Sequence, residues 1–265
     1  MKKERGPLLV VTDLDGTLLD HHDYSYDPVL PVLARLREAQ IPVIANTSKT
    51  RAEWLAMRQS FLGNDAAFVT ENGSAVYLPD PKGNLECQTL GRARAEILDL
   101  IQPFHSDCQF EGFADWSIDQ VQEHTGLPRE AAKQASDREF SEPLLWQDDD
   151  ASKAAFRQAL HDQGLMTLEG GRFLHVLGIT DKGRALPLLR EHYGTNNHTI
   201  VALGDSPNDI AMLTQADIGV VIASPSRTAL HFESTNRIEH STLHGPAGWA
   251  EIMTAILDET KADYH

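Results

Sequence analysis

Three short apolar runs in this chain each end abruptly in a polar cluster, with helix-like stretches between them. Residues 8–12 run into Asp13-Leu14-Asp15-Gly16-Thr17, and residues 41–45 into Asn46-Thr47-Ser48-Lys49-Thr50. Residues 198–203 run into Gly204-Asp205-Ser206-Pro207-Asn208-Asp209. A short apolar run that stops at turn-forming residues reads as a buried strand. Buried strands alternating with helices predict a parallel sheet with right-handed crossovers. In such an open sheet, ligands bind beyond the carboxyl ends of the strands, so the three clusters are expected to meet there.

The intervening segments carry their own start and stop signals. Asp27-Pro28 opens a helix whose apolar stripe is Val29, Val32, Leu33 and Leu36. Thr50-Arg51-Ala52-Glu53 is a capping box, opening a helix that carries Trp54, Leu55 and Phe61. Residues 66–69 read as a third strand, and Glu71-Asn72-Gly73-Ser74 turns into a fourth over 75–78. After Pro79-Asp80-Pro81-Lys82-Gly83-Asn84 the texture changes to charged helical segments at 93–101, 118–124, 129–135 and 152–161. Weaker strands fall near 108–110, 144–146, 166–168 and 173–177. Alternation resumes at Thr180, with a helix from Asp181 closed by Gly194 and another opened by Ser206-Pro207. A strand over 218–222 follows, and a last helix after Pro246. The expected architecture is a doubly wound α/β core of residues 1–84 and 179–265, with an α+β cap domain, 85–178, inserted between.

Composition narrows the partners. With 39 acidic against 23 basic residues the formal net charge is −16, which argues against nucleic acid or an anionic membrane surface. A small anionic ligand needs only a local cluster of basic side chains. Two cysteines, Cys87 and Cys108, are too few for a disulfide framework and have no metal-ligand spacing, which fits a cytoplasmic location. The apolar run at 8–11 is too short for a signal peptide, and no other approaches membrane-spanning length.

The clusters carry recognisable chemistry. Alternate side chains of a strand share a face, so Asp13 and Asp15 point the same way, and two close carboxylates call for a cation between them or a proton on one. Gly16 permits the tight turn that follows. The hydroxyls and ammonium of Thr47, Ser48 and Lys49 suit phosphate oxygens. Asp205 is a hard oxygen ligand of the kind Mg2+ prefers, whereas Asp209, inside the next helix, is better placed to orient its neighbours. Lys182 stands at a helix start, where a cation opposes the dipole unless it answers to an anion. In the insertion, the planar forks of Arg138 and Arg172 suit a carboxylate, and Glu139 and Glu142 suit sugar hydroxyls. His175, on an apolar strand, reads as structural.

Asp13-Leu14-Asp15-Gly16-Thr17, Thr47, Lys182 and Gly204-Asp205-Ser206-Pro207-Asn208-Asp209 together resemble the four motifs of the haloacid-dehalogenase-type phosphatases. That resemblance implies a Rossmann-like core with a cap and a Mg2+-dependent phosphomonoesterase. Asp13 would be the nucleophile forming an aspartyl phosphate, and Asp15 the acid and base. Thr47 and Lys182 would steady the phosphoryl group, and Asp13, Asp15 (through its carbonyl) and Asp205 would hold the metal. A narrower likeness rests on Ser48-Lys49-Thr50, Glu71-Asn72-Gly73, Arg138-Glu139-Phe140-Ser141-Glu142-Pro143 and Gly170-Gly171-Arg172-Phe173-Leu174-His175. These segments resemble the mannosyl-3-phosphoglycerate phosphatases, which implies a glycosyl phosphoglycerate as partner. Ser48, Lys49, Arg138, Glu139, Ser141, Arg172 and Asn208 are then the expected substrate-binding residues. Glucosyl-3-phosphoglycerate, sucrose phosphate or another sugar phosphate is the alternative substrate, and a non-catalytic metal- and ligand-binding protein the alternative class.

Overall fold

The computed structural model describes residues 7–58, 66–194, 198–225 and 230–262. Its larger sheet has eight strands, in the order β12 (Arg237–His244), β11 (Ile218–Ala223), β10 (Thr199–Gly204), β1 (Leu8–Thr12), β2 (Val43–Asn46), β3 (Phe68–Thr70), β4 (Ala75–Pro79) and β5 (Leu85–Thr89). From β12 to β3 every pairing is parallel. Side chains of β1 alternate between two cores, as the pleat requires. Leu8 and Val10 join Val29 and Leu33 beside α1 (Leu30–Glu38) and Trp249 and Met253 of α9 (Gly245–Ala262). Leu9 and Val11 join Leu186 and Leu189 of α7 (Leu186–His192) and Met212 and Leu213 of α8 (Ile210–Gln215). Burial on both faces explains why these strands read as unbroken apolar runs.

Three features differ from expectation. β4 and β5 are antiparallel additions, because the four residues joining β3 to β4 are too few for a crossover. Residues 85–89, expected in the cap, therefore belong to the larger sheet. β12 was not anticipated: it is a polar edge strand with one hydrogen-bonded neighbour, so it lacks the apolar signature of its partners. The expected capping box is present, with Thr50 Oγ1 accepting from Glu53 N–H and Glu53 from Thr50 N–H, at the start of α2 (Arg51–Met57). Phe61, assigned to this helix from sequence, lies outside the described residues.

The second sheet has the order β6 (Phe110–Gly112), β7 (Ser141–Trp146), β9 (Phe173–Gly178), β8 (Leu165–Gly170) and is antiparallel throughout. On one face Leu144, Leu174 and Val176 meet Ile97 and Ile101 of α3 (Arg94–Ile101) and Phe156 and Leu160 of α6 (Asp150–Asp162). A separate cluster of Phe113, Trp116 and Phe173 is closed by Val121 of α4 (Ile118–Thr125) and Ala132 of α5 (Arg129–Ser136). No helix among the described residues is long and apolar enough to cross a membrane. Cys87 and Cys108 are both free thiols.

Candidate active site

The carboxyl ends of β1, β2 and β10 lie side by side, and the three polar clusters meet there. Asp13 N–H donates to Leu203 O at 2.9 Å, locking the end of β1 to β10. Gly16 turns the chain with φ +83°, and a Cβ on it would stand 2.9 Å from Asp205 Oδ2. Its bareness lets the Asp205 carboxylate approach, where Oδ1 accepts from Thr17 Oγ1 at 3.1 Å. At the centre Lys182 is fully buried. Its Nζ donates to Asp13 Oδ1 at 2.6 Å and to Asp209 Oδ1 at 2.7 Å. The helix-start lysine therefore answers to an anionic cluster, as its position suggested.

Charge in this pocket is unbalanced. Carboxylate oxygens of Asp13, Asp205 and Asp209 lie within 4.8 Å of one another, with one ammonium among them. Burial pushes the Asp13 carboxyl up to about 8; Lys182 opposes the shift, while Asp209, Asp205 and Asp15 add to it. Burial alone would lower the Lys182 pKa, but Asp13 and Asp209 more than reverse that, and its net shift is upward. The Asp209 carboxylate is committed to its neighbours, Oδ1 to Lys182 and Oδ2 to the backbone N–H groups of Asp205 and Ser206. It orients the loop, leaving Asp13 and Asp205 as the better cation ligands.

On the other side of Asp13, Lys49 Nζ pairs with Asp15 Oδ1 at 3.0 Å. Burial tends to lower the Lys49 pKa, yet Asp15, Glu53 and Tyr24 shift it upward overall. Tyr24 was missed in the sequence: its ring lies 4.9 Å from Lys49 Nζ, on a loop closed by Asp20, and its own φ is +59°. Thr47 is buried beside them, its hydroxyl accepting from Lys49 N–H at 3.1 Å. Asn208 donates to Asn72 Oδ1 at 2.8 Å and accepts from Ser206 Oγ.

The expected substrate-binding residues outside the central cluster divide into two groups. Arg138, Glu139 and Ser141 of the cap lie along the seam with the larger sheet, where Ser48 of the core meets them. Arg138 is buried, with Nε on Ser141 Oγ at 3.0 Å and Nη2 on Ser48 O at 3.1 Å, so little of its fork remains for a ligand. Glu139 accepts from Tyr77 at 2.6 Å and stands 3.6 Å from Arg51. Glu142 is fully buried against Arg94 at 2.6 Å. Arg172 stands apart. It precedes β9 at the far end of the ladder that pairs Ser141 with Leu177, five residues or about 17 Å of strand from that level. Its Nη1 donates to His124 O at 2.6 Å. His175 is held neutral: burial, helped by Arg138, lowers its pKa to about 3.

In the sequence Glu71 stands only as the first residue of the turn-forming Glu71-Asn72-Gly73 segment that contributes to the family likeness, with no role of its own. A charged residue directly after an apolar strand and before Asn-Gly was the available signal. Its carboxylate is fully buried and gathers four groups from the cap.

Comparison with known proteins agrees with this geometry. Residues 10–232 match the family model of the haloacid dehalogenase-like hydrolases. The chain is 36% identical, over 95% of its length and 98% of the relative's, to a glucosyl-3-phosphoglycerate/mannosyl-3-phosphoglycerate phosphatase of Persephonella marina. Identity is 35% to a protein of the same description from Methanococcoides burtonii, covering 94% and 96% of the two chains. Among solved structures, a haloacid dehalogenase-like hydrolase from Bacteroides thetaiotaomicron superposes with a TM-score of 0.68 at 19% identity, covering 95% of this chain and all of that one. A second, the sugar phosphatase BT4131, reaches 0.66 at 13% identity, covering 94% and 98%. With a buried lysine bridging two carboxylates at the ends of β1 and β10 and a family match over most of its length, this chain belongs to the haloacid dehalogenase-like hydrolases.

Proposed function

We propose that this protein is a phosphoric monoester hydrolase acting on glycosyl-3-phosphoglycerates, with mannosyl- and glucosyl-3-phosphoglycerate as its substrates and the glycosyl glycerate and phosphate as products. The observation that carries the reading is Lys182, buried between Asp13 and Asp209. It aims Asp13 as a nucleophile and opposes the upward pull of burial and the neighbouring acids on its carboxyl, while offering positive charge to an incoming phosphoryl group. The substrate class comes from the two relatives described above.

Asp13 attacks phosphorus and forms an aspartyl phosphate. Asp15 donates a proton to the departing oxygen, then takes one from the water that hydrolyses the intermediate. Thr47 and Lys182 hold the phosphoryl oxygens, and Asn208 braces the Thr47 loop through Asn72. Ser48 and Lys49 are assigned to the leaving-group side, because Lys49 is the cation beside Asp15 and suits the glycerate carboxylate. The acidic cluster fits a hard divalent cation, with Asp13, Asp205 and the main-chain carbonyl of Asp15 as the residues that would hold Mg2+. Bound there, it neutralises the charge between nucleophile and phosphate.

Phosphate release from a panel of phosphate esters tests the assignment. Mannosyl- and glucosyl-3-phosphoglycerate are expected to exceed sucrose phosphate and an aryl phosphate by about ten- to a hundredfold in kcat/KM, the worth of one charged contact to the carboxylate. EDTA should abolish all release. Equal rates across the panel would remove the glycerate from the assignment.

Metal binding has its own readout. At ten times its Kd, Mg2+ stabilises the fold by about 1.4 kcal/mol, or roughly 3–6 °C in Tm for a chain of this size. Asp205→Asn should lose that shift. A shift of undiminished size in the variant would place the cation elsewhere.

A further inference from the structure

Cap and core meet at one carboxylate. Glu71 follows β3 and is fully buried. Oε1 accepts from Glu139 N–H at 2.9 Å, and Oε2 from Phe140 N–H at 3.2 Å and from Ser141 Oγ at 2.5 Å. Arg138 Nε stands 3.7 Å away and donates to the same Ser141 Oγ, so the hydroxyl relays between the two charges. Four consecutive cap residues thus converge on a single core side chain.

The same turn holds the phosphate loop. Glu71 N–H donates to Lys49 O and Asn72 N–H to Thr47 O, both at 3.0 Å. The cap grips that loop from its other side, through Arg138 to Ser48 O at 3.1 Å and Thr50 Oγ1 to Gln134 O at 2.8 Å. Glu71 and Asn72 have φ of +48° and +60°, in the left-handed region that non-glycine residues seldom enter. Gly73 continues it at +87°, where a Cβ would sit 2.2 Å from Asp181 O, beside Lys182. A strained turn persists only where its surroundings over-determine it, and here those surroundings are the catalytic loops and the cap.

We propose that Glu71 is a positioning residue whose carboxylate seats the cap on the Thr47–Lys49 loop, so that cap placement and phosphate-site geometry form one equilibrium. This rests on the phosphatase reading for its kinetic consequence. Glu71 touches no reacting atom; it determines what fraction of molecules present a covered, assembled site. Apparent affinity falls in proportion to that fraction.

The test uses full-length Glu71→Gln and the milder Ser141→Ala, which removes only the relay hydroxyl. Loss of a charged hydrogen bond lowers the equilibrium constant for seating by about ten- to a hundredfold. KM for mannosyl-3-phosphoglycerate is expected to rise in Glu71→Gln, by at most about that factor, and less in Ser141→Ala, with kcat changed less than about threefold. Amide hydrogen exchange should accelerate together at residues 139–141 of the cap and 48–50 of the core. A fall in Tm with unchanged KM, or faster exchange confined to 139–141, would overturn the proposal, because the carboxylate would then only anchor the cap. If wild type releases no phosphate from either glycosyl phosphoglycerate, the phosphatase reading fails. The exchange comparison then decides the coupling by itself.

Discussion

Asp13→Asn is expected to abolish phosphate release on every substrate while leaving the fold intact. An amide is a poor nucleophile toward phosphorus, and losing a covalent catalyst costs roughly 10⁴–10⁶-fold in kcat. The structure makes the variant tractable because Lys182 keeps Asp209 at 2.7 Å, so no buried charge is left without a partner. Burial and the neighbouring acids already disfavour the charge that the substitution removes. In EDTA the variant should therefore unfold at or above the wild-type temperature. Mg2+ should raise the Tm of wild type more than that of the variant, since a ligand for the cation has gone. The measurement pairs a phosphate-release assay with thermal unfolding in EDTA and in Mg2+. Residual turnover above about a hundredth of wild type would defeat the nucleophile assignment.

Asp15→Asn should fail in a different way. A positioned proton donor contributes about 10²–10⁴-fold, and its worth depends on how badly the leaving group needs the proton. A glycerate alkoxide needs it; an aryl oxide hardly does. In single-turnover experiments the phosphorylation step is expected to slow by that factor with mannosyl-3-phosphoglycerate and by much less with an aryl phosphate. Single turnovers are required because Asp15 also serves the second, hydrolytic step. Lys49 at 3.0 Å from Asp15 Oδ1 loses its charged partner in this variant, so Ser48 and Lys49 gain freedom on the leaving-group side. That would appear as a higher KM on mannosyl-3-phosphoglycerate and is separable from the chemical step. An equal defect in phosphorylation on the two substrates would argue against an acid role.

Much of the core could be read directly from residue order. Apolar runs buried on both faces announce β1, β2 and β10, and Thr50 and Ser206-Pro207 open helical turns as caps. Asp27-Pro28 also opens one, but Asp27 lies inside the turn after Tyr26 and makes no side-chain cap. The acidic and basic clusters are legible because each follows its strand directly, and a parallel sheet brings such ends together. Lys182 was legible for a related reason, as a cation placed against a helix dipole.

Other features needed the tertiary structure. β5 and β12 are strands by pairing rather than by composition, since an edge or hairpin strand obtains its order from hydrogen bonds to one neighbour. The roles of Arg138 and Glu71 depend on contacts between residues 67 positions apart in sequence, and no local pattern encodes such a meeting. A buried guanidinium joined to a backbone carbonyl and a serine reads, in sequence, the same as one waiting for a carboxylate. Local periodicity and capping chemistry act over a few residues and so are written in the chain. Which buried charge finds which partner depends on how two separately ordered sheets come to lie against each other.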